Sequence, residues 1–232
     1  MTTFADLLTA QLRRDPGRPF VTFYDVSTGE RTELSLTTYA NWVAKAANLL
    51  VEELDLEQDD VLLVDLPCHW LGPVFLGAAW TVGLEVVFPG QQGGRTPDAV
   101  VCGPDGLATW GPRAGSTTVL ASALHPLGLR FPDGVPPGVH DLGVEVWSQP
   151  DAFLGLPAVG PSEPDWEAAA SGSLLTEGGR LLSTANPASP PGLPVLTEPL
   201  ARGGSLVLVV GADAGRLESV ATDERVTARH LP

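Results

Sequence analysis

Residues 61–88 constrain the fold more than any other stretch. VLLVDL (61–66) is a continuous apolar run suited to a strand covered on both faces, residues 70–82 supply a helix rich in small side chains, and EVVF (85–88) makes a second strand. Strand, helix and strand in that order form a right-handed crossover with a parallel pair, which points to an α/β architecture. The uncharged stretch from Leu66 to Leu84 has the length of a membrane span, but Pro67, His69, Gly72, Pro73, Gly77 and Gly83 interrupt it. It reads as a strand end, a turn and a buried helix. Leu62, Val64, Leu76, Ala79 and Val87 are therefore expected in the central core.

Patterns on both sides extend this unit. Phe4, Leu7, Leu8 and Leu12 share one helical face, and Asp15-Pro16-Gly17 ends that helix. FVTFY (20–24) and RTEL (31–34) flank a Ser27-Thr28-Gly29-Glu30 turn and predict a hairpin. Leu36, Tyr39, Ala40, Val43, Ala46, Ala47, Leu50 and Leu54 then repeat at helical spacing after Ser35, a capping residue. DAVVC (98–102) and TTVLAS (117–122) read as short strands. From 123 to 164 closely spaced prolines predict mostly loop. A helix near 165–175, a strand near 180–184, a short helix at 193–201, the strand SLVLVV (205–210), a helix at 213–222 and the strand VTARH (226–230) complete the alternation.

Composition removes several function classes. With 44% hydrophobic and only 18% charged residues the 232-residue chain is expected to fold around a substantial core. Thirteen basic against 28 acidic residues give a net charge of -15. Lys45 is the single lysine. Nucleic-acid backbones and anionic membrane surfaces would be repelled, so neither is expected as a partner. Cys68 and Cys102 show no CxxC spacing, and Asp6, Arg13, Arg14 and Asp15 interrupt any export signal at the start. A cytoplasmic location with free thiols follows as the expectation.

Catalytic motifs are missing. No two glycines stand two positions apart, which excludes a GxGxxG turn, and the lone lysine is followed by Ala46, which excludes a GxxxxGK[ST] loop. The glycine pairs spaced four apart centre on Gln92, Arg113, Pro136 and Asp213, never on serine, so there is no nucleophile elbow. His69, His125, His140 and His230 are scattered, and Cys68-His69 reads as a structural thiol beside a surface or turn histidine in preference to a metal site. The loop Gly90-Gln-Gln-Gly-Gly-Arg95 could wrap an anion through its amides and Arg95, although a plain strand-to-strand connection is the simpler reading.

TYANWVAKAANLL (38–50) followed by VLLVDLPCHWLGPVFLGAAWTVGLEVVFPG (61–90) resembles the start of the acyl-adenylate-forming superfamily, which includes acyl-CoA synthetases, peptide-synthetase adenylation domains and luciferases. LARGGSLVLVVGADAGRLESVATDERVT (200–227) is similar to a later segment of the same family. The resemblance covers residues 4–102 and 178–230, around the irregular insert at 123–164. It implies one domain over residues 1–232, corresponding to the first part of the family's large N-terminal domain. The fold class expected is α/β, a layered and mainly parallel sheet flanked by helices, with a Pro/Gly-rich irregular segment.

The resemblance also sets the functional expectation. The family's phosphate loop should fall between the two blocks, where this chain offers SQPDAFLGLPAVGPSEPDW (148–166) without a lysine. The family's histidine segment of the acyl pocket is replaced by TANPASPPG (184–192), and Pro232 comes before the family's later nucleotide-binding segments. No catalytic or metal-ligating residue carries over, cofactor-binding residues stay unassigned and no cofactor is expected. The reading is a non-catalytic remnant of an adenylate-forming enzyme acting as a binding or protein-interaction module. The alternatives are a weak nucleotide or acyl-CoA binder with a rebuilt site, or a subunit completing a partner chain. An apolar SLVLVV and an unpaired VTARH edge further predict a homodimer through residues 193–230.

Overall fold

The computed structural model describes residues 2–126 and 128–232. In chain order the elements are α1 (Phe4–Arg14), β1 (Pro19–Asp25), β2 (Glu30–Ser35), α2 (Leu36–Glu52), β3 (Val61–Asp65), α3 (Leu71–Val82), β4 (Glu85–Val87), β5 (Ala99–Cys102) and α4 (Leu107–Trp110). They continue with β6 (Thr118–Ala121), β7 (Val139–Asp141), α5 (Leu142–Glu145), α6 (Trp166–Ala170), β8 (Arg180–Ser183), α7 (Pro194–Ala201), β9 (Ser205–Val210), α8 (Ala214–Asp223) and β10 (Ala228–His230). The chain forms two compact units: Met1–Ala40, Cys68–Pro73 and Pro164–Pro232 make the first, Asn41–Pro67 and Val74–Glu163 the second.

The first unit holds a five-stranded sheet in the order β10-β8-β9-β1-β2. β1 and β2 form the expected antiparallel hairpin, while β1 also lies parallel to β9, with Val21 opposite Leu206 and Asp25 opposite Val210. Asp25 closes the hairpin by accepting from the Ser27 amide at 2.8 Å. β2 is an edge strand, and its charged Glu30, Arg31 and Glu33 discourage a further strand from pairing there. β9 is the opposite case. Leu206 to Val209 are fully buried, and both neighbours of the strand come from this chain. Tyr24, Leu182, Val207, Val209, Val220 and Ala221 pack into one apolar cluster.

The second unit holds five parallel strands in the order β4-β3-β5-β6-β7. β3 pairs with β4 on one side and β5 on the other, so the strand order reverses between β3 and β5. The crossover read from residues 61–88 is present, and Leu62, Val64, Leu76, Ala79 and Val87 are all buried. Leu63, Val100, Cys102, Trp110, Val119 and Val139 belong to the cluster on this sheet.

Several short elements depart from the sequence pattern, among them the helices α4 and α5. Within the Pro-rich stretch, β7 adds a three-residue edge strand, and Asp141 then caps α5 by accepting from the Gly143 amide at 2.9 Å. An element this short gives no measurable periodicity. The helix expected over 165–175 stops at Ala170. It starts on a firm cap, Asp165, but Gly172 lies so close to the Glu198 carboxyl that a Cβ there would sit 2.0 Å from its carbon.

Candidate functional site

Open α/β sheets bind ligands at the carboxyl ends of their strands, where the strand order reverses. In the second unit that point lies between Asp65 of β3 and Cys102 of β5, and it is filled. The Trp110 indole N–H donates to Asp65 Oδ2 at 2.8 Å. A Cβ on Gly106 would lie 2.7 Å from the Cys102 Cβ. Burial, reinforced by the Asp65 charge, pushes the Cys102 thiol up to about 12, so it stays protonated.

In the first unit β8 ends at Ser183, and the loop after it is tied to itself. Ser183 Oγ accepts from the Ala185 amide at 3.0 Å, Asn186 Oδ1 from the Ala188 amide at 3.0 Å, and the Ser189 hydroxyl donates to Asn186 O at 2.7 Å. Gly192 closes this knot, because any Cβ would lie 1.7 Å from Asn186 O. The Cys68 thiol donates to Ala185 O at 3.6 Å and is raised to about 12 by burial. His69 takes the turn position, one of the two expected for it, and it is buried there. It is 3% exposed, packs edge-on against Phe23 at 4.8 Å, and its Nδ1 accepts from the Leu71 amide at 3.3 Å. Cys68 and His69 therefore act in packing.

The same sheet carries a charge network that runs from Tyr24 and Arg31 to the amino end of β8. Glu224 accepts from the Tyr24 hydroxyl at 2.5 Å, from Arg31 at 2.8 and 3.0 Å, and from Arg180. Burial alone would raise the Glu224 carboxyl, but the bonds from Tyr24, Arg31 and Arg180 and the Arg180 charge hold it below the usual carboxylate range. Arg18 donates to Gly203 O at 2.9 Å and to Gln11 Oε1 at 3.1 Å. A groove of about 450 Å³ opens here, lined by Arg18, Arg180 and Arg225 and by Glu33, Asp223 and Glu224. Its charges balance, and Arg180 is spent on the fold.

Residues 148–163 form a strap on the second unit. The single lysine, Lys45, donates to Gln149 O and lies 3.1 Å from Asp151 Oδ1. Buried Asn48 donates to Ala152 O at 2.9 Å and accepts from the Leu154 amide at 2.9 Å. Farther on, the Ala158 amide donates to Thr81 O at 3.1 Å, and the Val86 amide donates to Ser162 Oγ at 2.8 Å. Gly160 is required where the strap crosses Gly83, whose carbonyl oxygen would lie 2.2 Å from an added Cβ. The interval expected to hold a phosphate loop is thus pinned as irregular chain along α2 and α3.

A second cleft, of about 520 Å³, lies at the amino ends of β5 and β6 and is lined by Gln92, Gly94, Arg95, Trp110, Arg113 and Thr117 among others. The sequence singled out Gly90 to Arg95. It gave no signal for Arg113, because only the pairing of β5 with β6 brings the two loops together.

No protein-family profile matches the chain. A TIGR03089 family protein of Mycobacterium tuberculosis is 34% identical over 235 residues, with 95% of each chain covered. Among solved structures, the acyl-CoA synthetase of Brucella canis superposes with a TM-score of 0.77 at 16% identity, over 97% of this chain and 47% of that one. A putative long-chain-fatty-acid CoA ligase of Rhodopseudomonas palustris gives 0.76 at 15% identity, over 98% and 62%. The N-terminal domain of FACL13 from M. tuberculosis gives 0.72 at 14%, over 97% and 62%. This chain spans about half to two thirds of those structures, and its fold is that of their N-terminal domains.

Proposed function

Because the chain belongs to the TIGR03089 protein family and has the fold of an adenylate-forming enzyme's N-terminal domain, we propose that it is a non-catalytic binding or interaction module built on that fold. The observation that carries this reading is the strap at 148–163. Adenylation requires several kcal/mol of charge stabilisation on the α-phosphate, supplied by cations and oriented amides. The interval where the sequence resemblance leads one to expect a phosphate loop has no lysine, and main-chain groups of Gln149, Ala152, Leu154 and Ala158 within it are bonded to Lys45, Asn48 and Thr81. Lys45 is itself neutralised by Asp151.

β10 supports self-association, since among the described residues it pairs only with β8 and ends its sheet, an edge that a second copy could extend. No helix among the described residues is long and apolar enough to cross a membrane. The unbridged thiols Cys68 and Cys102 suit a reducing compartment such as the cytoplasm.

ATP–pyrophosphate exchange across a panel of carboxylic acids tests the central claim. Exchange at background is expected for every acid. Turnover above background that disappears on Arg180→Gln or Arg202→Gln would overturn it.

A further inference from the structure

We propose that the cleft between the loops preceding β5 and β6 binds a small molecule carrying a phosphate or diphosphate group. The chain as a whole is strongly acidic, with a net charge of -15, yet Arg95 and Arg113 line this cleft and no Asp or Glu does. Arg113 is exposed, and its guanidinium lies 4.9 Å from the centre of the Trp110 ring with no carboxylate partner among the described residues. Trp110 is itself 5% exposed and anchored on Asp65, so the indole is a fixed platform that holds Arg113 over the cleft. Arg95 is fixed differently, by a two-bond contact with Glu85 that includes one bond of 3.1 Å.

Backbone donors complete the set. Gly90, Gly93 and Gly94 all have positive φ, and a Cβ on any of them would meet nothing within 4 Å. Within this loop the Gly90, Gln91 and Arg95 amides are spent on Gln92 Oε1, Phe88 O and Gln92 O, whereas those of Gly94 and Thr96, which line the cleft, donate to no acceptor among the described residues. Free amides beside positive-φ glycines, with the Arg113 guanidinium alongside and Arg95 held at the rim by Glu85, match the several acceptor oxygens of a phosphate. The volume, about 520 Å³, lies in the range of small-molecule sites, roughly 300–1,000 Å³.

The proposal rests on these residues and not on the absence of adenylation, so the two can fail separately. The test uses the full chain with inorganic pyrophosphate, at constant ionic strength, followed by calorimetry and by amide chemical shifts. Saturable binding is expected, with shifts confined to residues 90–97 and 110–117. Arg113→Gln should weaken it about tenfold or more, the size of one lost charge-assisted hydrogen bond. Arg216→Gln, on α8 of the first unit and not among the residues lining the cleft, should leave it unchanged. Binding that survives Arg113→Gln, shifts that map elsewhere, no saturation at millimolar pyrophosphate, or equal affinity for the tricarboxylate tricarballylate would each overturn the assignment.

Discussion

The Leu154 amide donates to the Asn48 side-chain oxygen at 2.9 Å, and the same side chain donates to Pro150 O at 3.3 Å and Ala152 O at 2.9 Å. One residue of α2 therefore holds three successive points of the strap. Asn48 is 1% exposed, while Leu154 is 70% exposed, so the strap is fixed from beneath by polar bonds and not by its own apolar side chains. Asn48→Ala removes three part-buried hydrogen bonds to exposed strap residues, at about 0.5–1.5 kcal/mol each. Limited proteolysis should show new cleavage between residues 150 and 160 and calorimetry a lower Tm. A digestion pattern identical to that of the unaltered protein would mean that the strap is held by something else.

Val64 is fully buried in the middle of β3, opposite Val101 of β5. Val64→Asp places a carboxylate where no partner exists, costing several kcal/mol against a total stability of about 5–15 kcal/mol. Circular dichroism should show an unfolded or strongly destabilised protein, whereas an unchanged Tm would be incompatible with the sheet.

The Glu224 carboxyl is held below its ordinary value despite its burial, because Tyr24, Arg31 and Arg180 donate to it. A depressed carboxylate stabilises the folded state in full above its unfolded value, about 4.3, and that contribution is lost as pH falls through the folded value. Urea denaturation should therefore show Glu224→Gln less stable than the unaltered protein at pH 7, with the gap closing below about pH 4. A gap of constant size from pH 7 to pH 3 would remove the electrostatic account of this network.

Burial raises both Cys68 and Cys102 to about 12, with the Asp65 charge adding to the effect at Cys102. The reactive species is the thiolate, so almost none is present at pH 8 in the folded state. A disulfide reagent should modify the native protein slowly and both thiols rapidly once urea is added. Rapid native labelling at either position would place that thiol in solvent.

Much of the secondary structure was legible in the sequence because its signals are local. The face formed by Phe4, Leu7, Leu8 and Leu12, the Ser27–Glu30 turn and the apolar runs at 61–66 and 205–210 each lie within a few turns of chain, and each gave the element later observed. The resemblance of residues 38–90 and 200–227 was legible for the same reason, and it pointed to the N-terminal fold that the solved structures share.

Tertiary structure decided the rest. The distribution of strands over two sheets, and the seating of β1 beside β9, depend on main-chain hydrogen bonds, which are the same for every side chain and leave no local mark. Nothing along SLVLVV marks β8 and β1 as the strands that flank it. The same holds for the sites. Tyr24, Arg31, Arg180 and Glu224 meet only because the hairpin, β8 and the end of α8 converge, and Arg95 reaches the cleft of Arg113 only because β5 lies beside β6. Periodicity fixes which side of an element is buried. Which elements become neighbours is settled by closing long loops around a shared core, and those contacts form between residues that no window along the sequence contains.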